Sequence, residues 1–174
     1  MVELQTHFQD VSQALASLDL DSLVRLRHFV RECDGTLWVA GNGGSAANAT
    51  HWACDLTKAA NRRVRALGTN SAILTAWAND KSYESALSEE LKSVSRPYDR
   101  LVCLSCSGTS PNIITLMRQA WKRNVPRALL TGEVWTGITP VDVVVKVAST
   151  DYAVIEDVHM AIGHWLTKEL SGVE

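Results

Sequence analysis

The sequence predicts an α/β fold of three layers, a parallel five-stranded sheet covered by helices on both faces. Two observations predict it. Five short segments read as continuous apolar runs rather than as alternating ones, the pattern of strands buried on both sides. Stretches with helical periodicity separate most of these runs, and such alternation builds parallel sheets by crossover.

Two amphipathic helices lead in, over residues 3–15 and 20–33, with Asp19 and Asp21 flanking the break between them. Residues 36–40, Thr-Leu-Trp-Val-Ala, form the first apolar run and stop at Gly41. An Ala-rich stretch, 45–60, predicts a helix, and 64–68 a second strand. Helical stretches follow from Ser71 and over 83–95, then a third strand over 100–105 and a helix over 111–123. Pro111 suits the first turn of that helix, where its missing N–H is not needed. Residues 127–131 and 141–147 give strands four and five, and a helix over 152–170 ends the chain. The order of the strands in the sheet does not follow from these segments.

At 174 residues the chain predicts one domain, with 1–34 as a helical lead-in and 35–174 as the α/β core. Its apolar fraction of 46% supports a sizeable core without disulfides or a structural metal. The net charge of −2 comes with scattered basic residues, which excludes a nucleic-acid footprint; the Arg62, Arg63 and Arg65 cluster reads as a solvated helix end. Of Cys33, Cys54, Cys103 and Cys106, only the last two are spaced as C-x-x-C. They run off a strand rather than opening a helix, so ordinary buried or half-buried thiols are expected. No signal peptide or membrane span is visible, and a cytoplasmic location is the expectation.

Ligands of such sheets bind beyond the carboxyl ends of the strands, and two strand ends carry unusual loops. Gly41-Asn-Gly-Gly-Ser-Ala46 follows strand one and precedes a helix, whose N-terminus offers free N–H groups and a positive dipole end. Ser105-Cys-Ser-Gly-Thr-Ser110 follows strand three and also precedes a helix; four hydroxyls and a glycine there make a cradle for a phosphate monoester. The first loop also satisfies G-x-G-x-x-A, the dinucleotide fingerprint. That scheme requires an acid at the end of strand two, where Leu67-Gly-Thr-Asn70 supplies none, so no nucleotide cofactor is expected.

The titratable residues cluster on two helices. His51 and Asp55 are four apart and share a face. Glu156 and His164, eight apart on the last helix, lie on adjoining faces, with Asp157 and His159 nearby. His51 and His164 each precede tryptophan in Ala- or Leu-rich helices, which suggests burial beside a carboxylate partner. Two imidazoles and two carboxylates suit proton transfer or a divalent metal.

Gly41-Asn-Gly-Gly-Ser45, His51-Trp-Ala-Cys-Asp55, Ala78-Asn-Asp80, Ser105-Cys-Ser-Gly-Thr-Ser110, Leu130-Thr-Gly132 and Ile155-Glu-Asp-Val-His159 through His164 resemble the phosphoheptose isomerases, which are sugar-isomerase (SIS) domain proteins. The resemblance runs over nearly the whole chain and keeps the order of its motifs. It implies a flavodoxin-like sheet, a homotetramer with active sites at subunit contacts, and a zinc ion. It further implies that Ser45, Ser105, Cys106, Ser107 and Ser110 bind phosphate, and that Asn42 and Asp80, with Gly43 and Gly44 of the same loop and Glu156, contact the sugar. His51, Asp55, Glu156 and His164 become the metal set, with Asp55 and His164 catalytic. Three positions depart from the family, which usually has Glu at Asp55, Gln at Glu156 and Thr at Cys106.

The activity the resemblance implies is the conversion of sedoheptulose 7-phosphate, or a related heptose or octose phosphate, to the aldose phosphate through an enediol(ate). Two readings of another class stay open, a phosphosugar sensor and a non-catalytic scaffold for the bacterial replication initiator. The scaffold relative lacks the carboxylate and the late histidine, whereas this chain keeps Asp55 and His164.

Overall fold

The computed structural model describes residues 4–137 and 139–172. The elements run α1 (Leu4–Ala16), α2 (Leu20–Arg31), β1 (Leu37–Ala40), α3 (Gly43–Lys58), β2 (Val64–Ala66), α4 (Ser71–Asp80), α5 (Tyr83–Val94), β3 (Arg100–Ser105), α6 (Pro111–Lys122), β4 (Arg127–Thr131), β5 (Val143–Lys146) and α7 (Tyr152–Ser171). Residue 3, placed in the first helix by its periodicity, lies outside the described residues. Local chemistry sets the boundaries. The Asp19 carboxylate accepts from the N–H groups of Asp21 and Ser22 at the start of α2, and the Asn70 side chain caps α4 in the same way.

All pairings are parallel, and the sheet order is β2-β1-β3-β4-β5. Val39 of β1 lies opposite Ala66 on β2 and Val102 on β3. The side-chain alternation of the strands splits the interior in two. Leu37, Val39, Val102, Leu104, Ala128 and Leu130 face a core closed by α1, α2, α3 and α7. Trp38, Ala40, Leu101, Cys103 and Leu129 face a second core closed by α5 and α6. The continuous apolar runs of the sequence are therefore strands feeding two cores at once. α4 packs on α5 and buries none of its own residues in the chain.

The strand order also positions the site. β1 leads outward through α3 to β2, while β3 starts on the other side of β1, so the direction of winding reverses between β1 and β3. At such a reversal the loops leaving the two strands part and leave a crevice. Both unusual loops of the sequence leave from these two strands.

His159, on the inner face of α7, is fully buried, and neither ring nitrogen has a partner among the described residues. Burial lowers its pKa from 6.5 to about 4. The unfolded chain therefore binds a proton between these limits that the folded chain refuses, and stability is lost as pH falls from about 6.5 to about 4. The loss from this residue reaches at most about 3 kcal/mol. Urea unfolding across this range should show the slope, and His159→Gln should flatten it; an unchanged slope would assign the acid sensitivity elsewhere.

Candidate active site

Two clusters line the same pair of helices. The first is the crevice between the β1–α3 and β3–α6 loops, a cavity of about 70 Å³ bounded by Asn42, Ser45, Leu104, Ser105, Cys106, Ser107, Ser110, Tyr152 and Glu156. Asn42 is the N-cap residue of α3 but its side chain makes no cap bond. Instead it pairs with Asn112, Asn42 Nδ2 donating to Asn112 Oδ1 at 2.9 Å and Asn112 Nδ2 donating back at 2.7 Å, while Tyr83 donates its hydroxyl to Asn42 Oδ1 at 3.0 Å. Ser110 is likewise the N-cap of α6 with an unspent side chain. With neither side chain capping its own helix, the first-turn N–H groups of both helices stay available to a ligand.

Ser105 is 4% exposed and its Oγ has no partner among the described residues. A buried hydroxyl without a partner inside a cavity is one that a ligand can satisfy. Gly108 turns the loop with a φ of 64°, a left-handed conformation that side chains disfavour, and the Trp135 ring packs where a Cβ would stand. Glu156 reaches the crevice from the first turns of α7. Its Oε1 accepts from Ser45 Oγ at 3.2 Å and lies 3.9 Å from Cys106 Sγ. Burial raises the Cys106 thiol pKa, and the neighbouring Glu156 charge adds to that rise.

The second cluster lies further along the two helices. His51 Nε2 stands 3.1 Å from His164 Nε2 and 3.2 Å from Asp55 Oδ2, and His164 Nε2 lies 3.9 Å from the same oxygen. These ligand atoms converge as a metal site's do. Glu156 does not join them. Eight residues along one helix span about 12 Å, so sharing a sector of α7 with His164 does not bring its carboxylate to that group. Both histidines are also about half exposed, not buried as their tryptophan neighbours suggested. Consecutive helical residues point about 100° apart; because Trp52 turns inward, His51 turns out.

The remaining site candidates sit at different depths. Gly43 opens α3 with a φ of 54°, and Gly44 lies directly under the Glu156 carboxylate, where a Cβ would strike it. Asp80, the last residue of α4, is exposed, bonds to Asn79 and is not among the residues lining the cavity. Sequence reasoning missed Asn112, Tyr83 and Tyr152. Only Asn112 carried a signal, as an amide one residue after the helix-opening proline; in the fold it is 4% exposed. Cys54 is exposed rather than buried, Cys33 half-buried, and all four thiols are free.

The comparisons follow the same pattern. The SIS domain family matches residues 7–132. The phosphoheptose isomerase of Maridesulfovibrio salexigens is 34% identical over 166 residues, covering 92% of this chain and 78% of that one. The chain belongs to the phosphoheptose isomerase family. It is accordingly an enzyme, a phosphosugar isomerase. A second relative, the phosphoheptose isomerase of Akkermansia muciniphila, is 36% identical over 163 residues, 89% of this chain and 86% of that one. Among solved structures, phosphoheptose isomerase GmhA from Neisseria gonorrhoeae superimposes with a TM-score of 0.87 at 28% identity, over 95% of this chain and 94% of that one. A phosphoheptose isomerase from Francisella tularensis, 22% identical, shares the fold with a TM-score of 0.90 over 99% of this chain and all of that one. Among the described residues no helix is long and apolar enough to cross a membrane.

Proposed function

We propose that this isomerase converts sedoheptulose 7-phosphate to the seven-carbon aldose phosphate. The observation that carries this reading is the distance between the two clusters. α3 and α7 run side by side in the same direction, since Ser45 meets Glu156 and Asn48 donates to Glu156 O, while further along Trp52 donates to His159 O and His51 meets His164. The hydroxyl crevice lies at the N-terminal ends of both helices. The His/Asp cluster lies six to eight residues along, about 9–12 Å away. A phosphate held at one end and reacting carbons at the other suit an extended seven-carbon chain better than a short one.

The phosphate is taken by Ser105, Cys106, Ser107 and Ser110 with the N-terminus of α6, and by Ser45 at that of α3. Gly43 and Gly44 let the sugar approach the backbone, and Asn42 and Asp80 contact its hydroxyls. Asp55 removes a proton from C1, leaving an enediol(ate). His164 delivers a proton to C2, and the hydroxyl proton of O1 is exchanged for one on O2, so atoms and charge balance. His51, whose Nε2 lies 3.1 Å from His164 Nε2 and 3.2 Å from Asp55 Oδ2, stands between them and fixes their orientation. The family's longer glutamate is not required for this, because the Asp55 carboxylate already reaches His51 at 3.2 Å.

The same residues would fit a divalent ion: Nε2 of both histidines and one Asp55 oxygen suit zinc, and with the ion in place His164 would keep Nδ1, and Asp55 its second oxygen, for proton transfer. Tetrahedral zinc with bonds of about 2.0–2.1 Å sets its ligand atoms about 3.4 Å apart; here they are 3.1, 3.2 and 3.9 Å apart. Bound there, the ion would polarise the substrate carbonyl and steady the developing oxyanion. Three protein ligands would leave such an ion a position for substrate.

The assembly that goes with this reading is a homotetramer with active sites at subunit contacts, and the apolar groove between α1, α2 and α7, lined by Leu15, Leu20, Val24 and Trp165, is a surface that association would cover. Asp55 and His164 in place separate the chain from a binding scaffold.

Proton NMR of the purified protein with sedoheptulose 7-phosphate in deuterated water should show loss of a C1 proton and growth of the aldose signals. Asp55→Asn and His164→Asn should each slow this by about 10²–10⁴-fold while substrate still binds. No exchange with the wild type would end the isomerase assignment for this sugar.

Elemental analysis of the protein as isolated should give close to one divalent ion per chain, and His51→Ala should remove it. A metal-free protein that keeps full activity after chelation would contradict the zinc site.

A further inference from the structure

We propose that Glu156 occupies the anion position of the phosphate crevice in the resting enzyme and competes with the phosphate for it, an inference that rests on assigning the crevice to phosphate. Its carboxylate lies over Gly44, so close that a Cβ there would strike it, and it holds the hydroxyl proton of Ser45 through Oε1 at 3.2 Å. Both are first-turn residues of α3, the place where a helix N-terminus receives an anion. The chain has put its own anion there.

Three consequences follow from the lining of the crevice. Among the described residues that line it, the only charged side chain is this carboxylate, with no lysine or arginine to offset it. Ser45 has one hydroxyl hydrogen, and while Glu156 holds it the phosphate cannot. The free space is about 70 Å³, well below the roughly 300–1,000 Å³ of ordinary ligand pockets. Ser105, with its unspent hydroxyl, is meanwhile ready on the α6 side.

A phosphate-bearing ligand therefore has to move the Glu156 side chain off α3 before it binds fully. A whole sugar phosphate has hydroxyls and a carbonyl that gain partners elsewhere in the site, and these offset the displacement. Inorganic phosphate has nothing beyond its own oxygens. Glu156 is thus a specificity-determining residue that sets the crevice against free phosphate and in favour of the complete substrate. The family's usual glutamine has the same shape without the charge, so the effect belongs to chains with an acid at this position.

The test is calorimetric titration of the wild-type protein and its variants with inorganic phosphate, at one pH and salt concentration. Glu156→Gln should bind phosphate about tenfold more tightly than wild type, from removal of one like charge within a partly buried site. Glu156→Ala, should the glutamine variant fold poorly, should gain at least as much. Adding Ser105→Ala and Ser107→Ala should abolish the gain. If neither Glu156 variant binds phosphate more tightly while Ser105→Ala with Ser107→Ala weakens binding, the competition is refuted and the crevice assignment stands. If the two serine substitutions leave phosphate binding unchanged in every background, the crevice does not hold phosphate and the proposal falls with that assignment.

Discussion

The lateral pairing of α3 with α7 is the contact on which the site depends. Trp52, almost wholly buried, crosses from α3 and donates its indole N–H to the carbonyl of His159 at 3.1 Å. One turn earlier Asn48 donates to the carbonyl of Glu156 at 2.7 Å. Gly163 admits the Trp52 ring, since a Cβ there would lie within the indole. Two side-chain bonds to main-chain carbonyls fix the relative position of the helices as well as their distance. A sliding of one helix by one residue, about 1.5 Å, would part His51 from His164 and Ser45 from Glu156 together.

The sheet supplies the other half of the constraint. Because the winding reverses between β1 and β3, the two ligand loops leave adjacent strands and face one another across a crevice. The α3 N-terminus comes from one loop and the α6 N-terminus from the other, with α7 laid over the first. The crevice at the loops and the His51, Asp55 and His164 cluster on the helix faces are thus separated by the length of the α3–α7 pair.

Much of this was legible in the residues. β3 and β4 fall on the predicted limits, because each begins at an arginine and ends where hydroxyl or glycine residues begin. α3 starts two residues before its prediction, since Gly43 and Gly44 belong to its first turn rather than to the loop. β2 stops at Ala66, two residues short, where the chain turns through Gly68 with a φ of 76°. β5 is also shorter than its apolar run, at Val143–Lys146. The strand order could not be read, because it depends on which edge each crossover takes and not on any local pattern. Within the site, the His51, Asp55 and His164 cluster and both loops were visible as motifs. The position of Glu156 was not, because helical periodicity gives the face of a residue without its height above a neighbour.

With catalysis proposed at one end of the helix pair and phosphate at the other, chain length is the quantity the proposed site would select. The most direct measurement is kcat/KM for a series of 2-ketose phosphates of five, six and seven carbons, each phosphorylated at its terminal carbon. The seven-carbon substrate should exceed the five-carbon one by about 10²-fold or more, since a misplacement of even 1 Å can cost that much. Equal or higher kcat/KM for the five-carbon ketose would contradict the account, for it would mean that the phosphate is not held at the far end of α3 and α7.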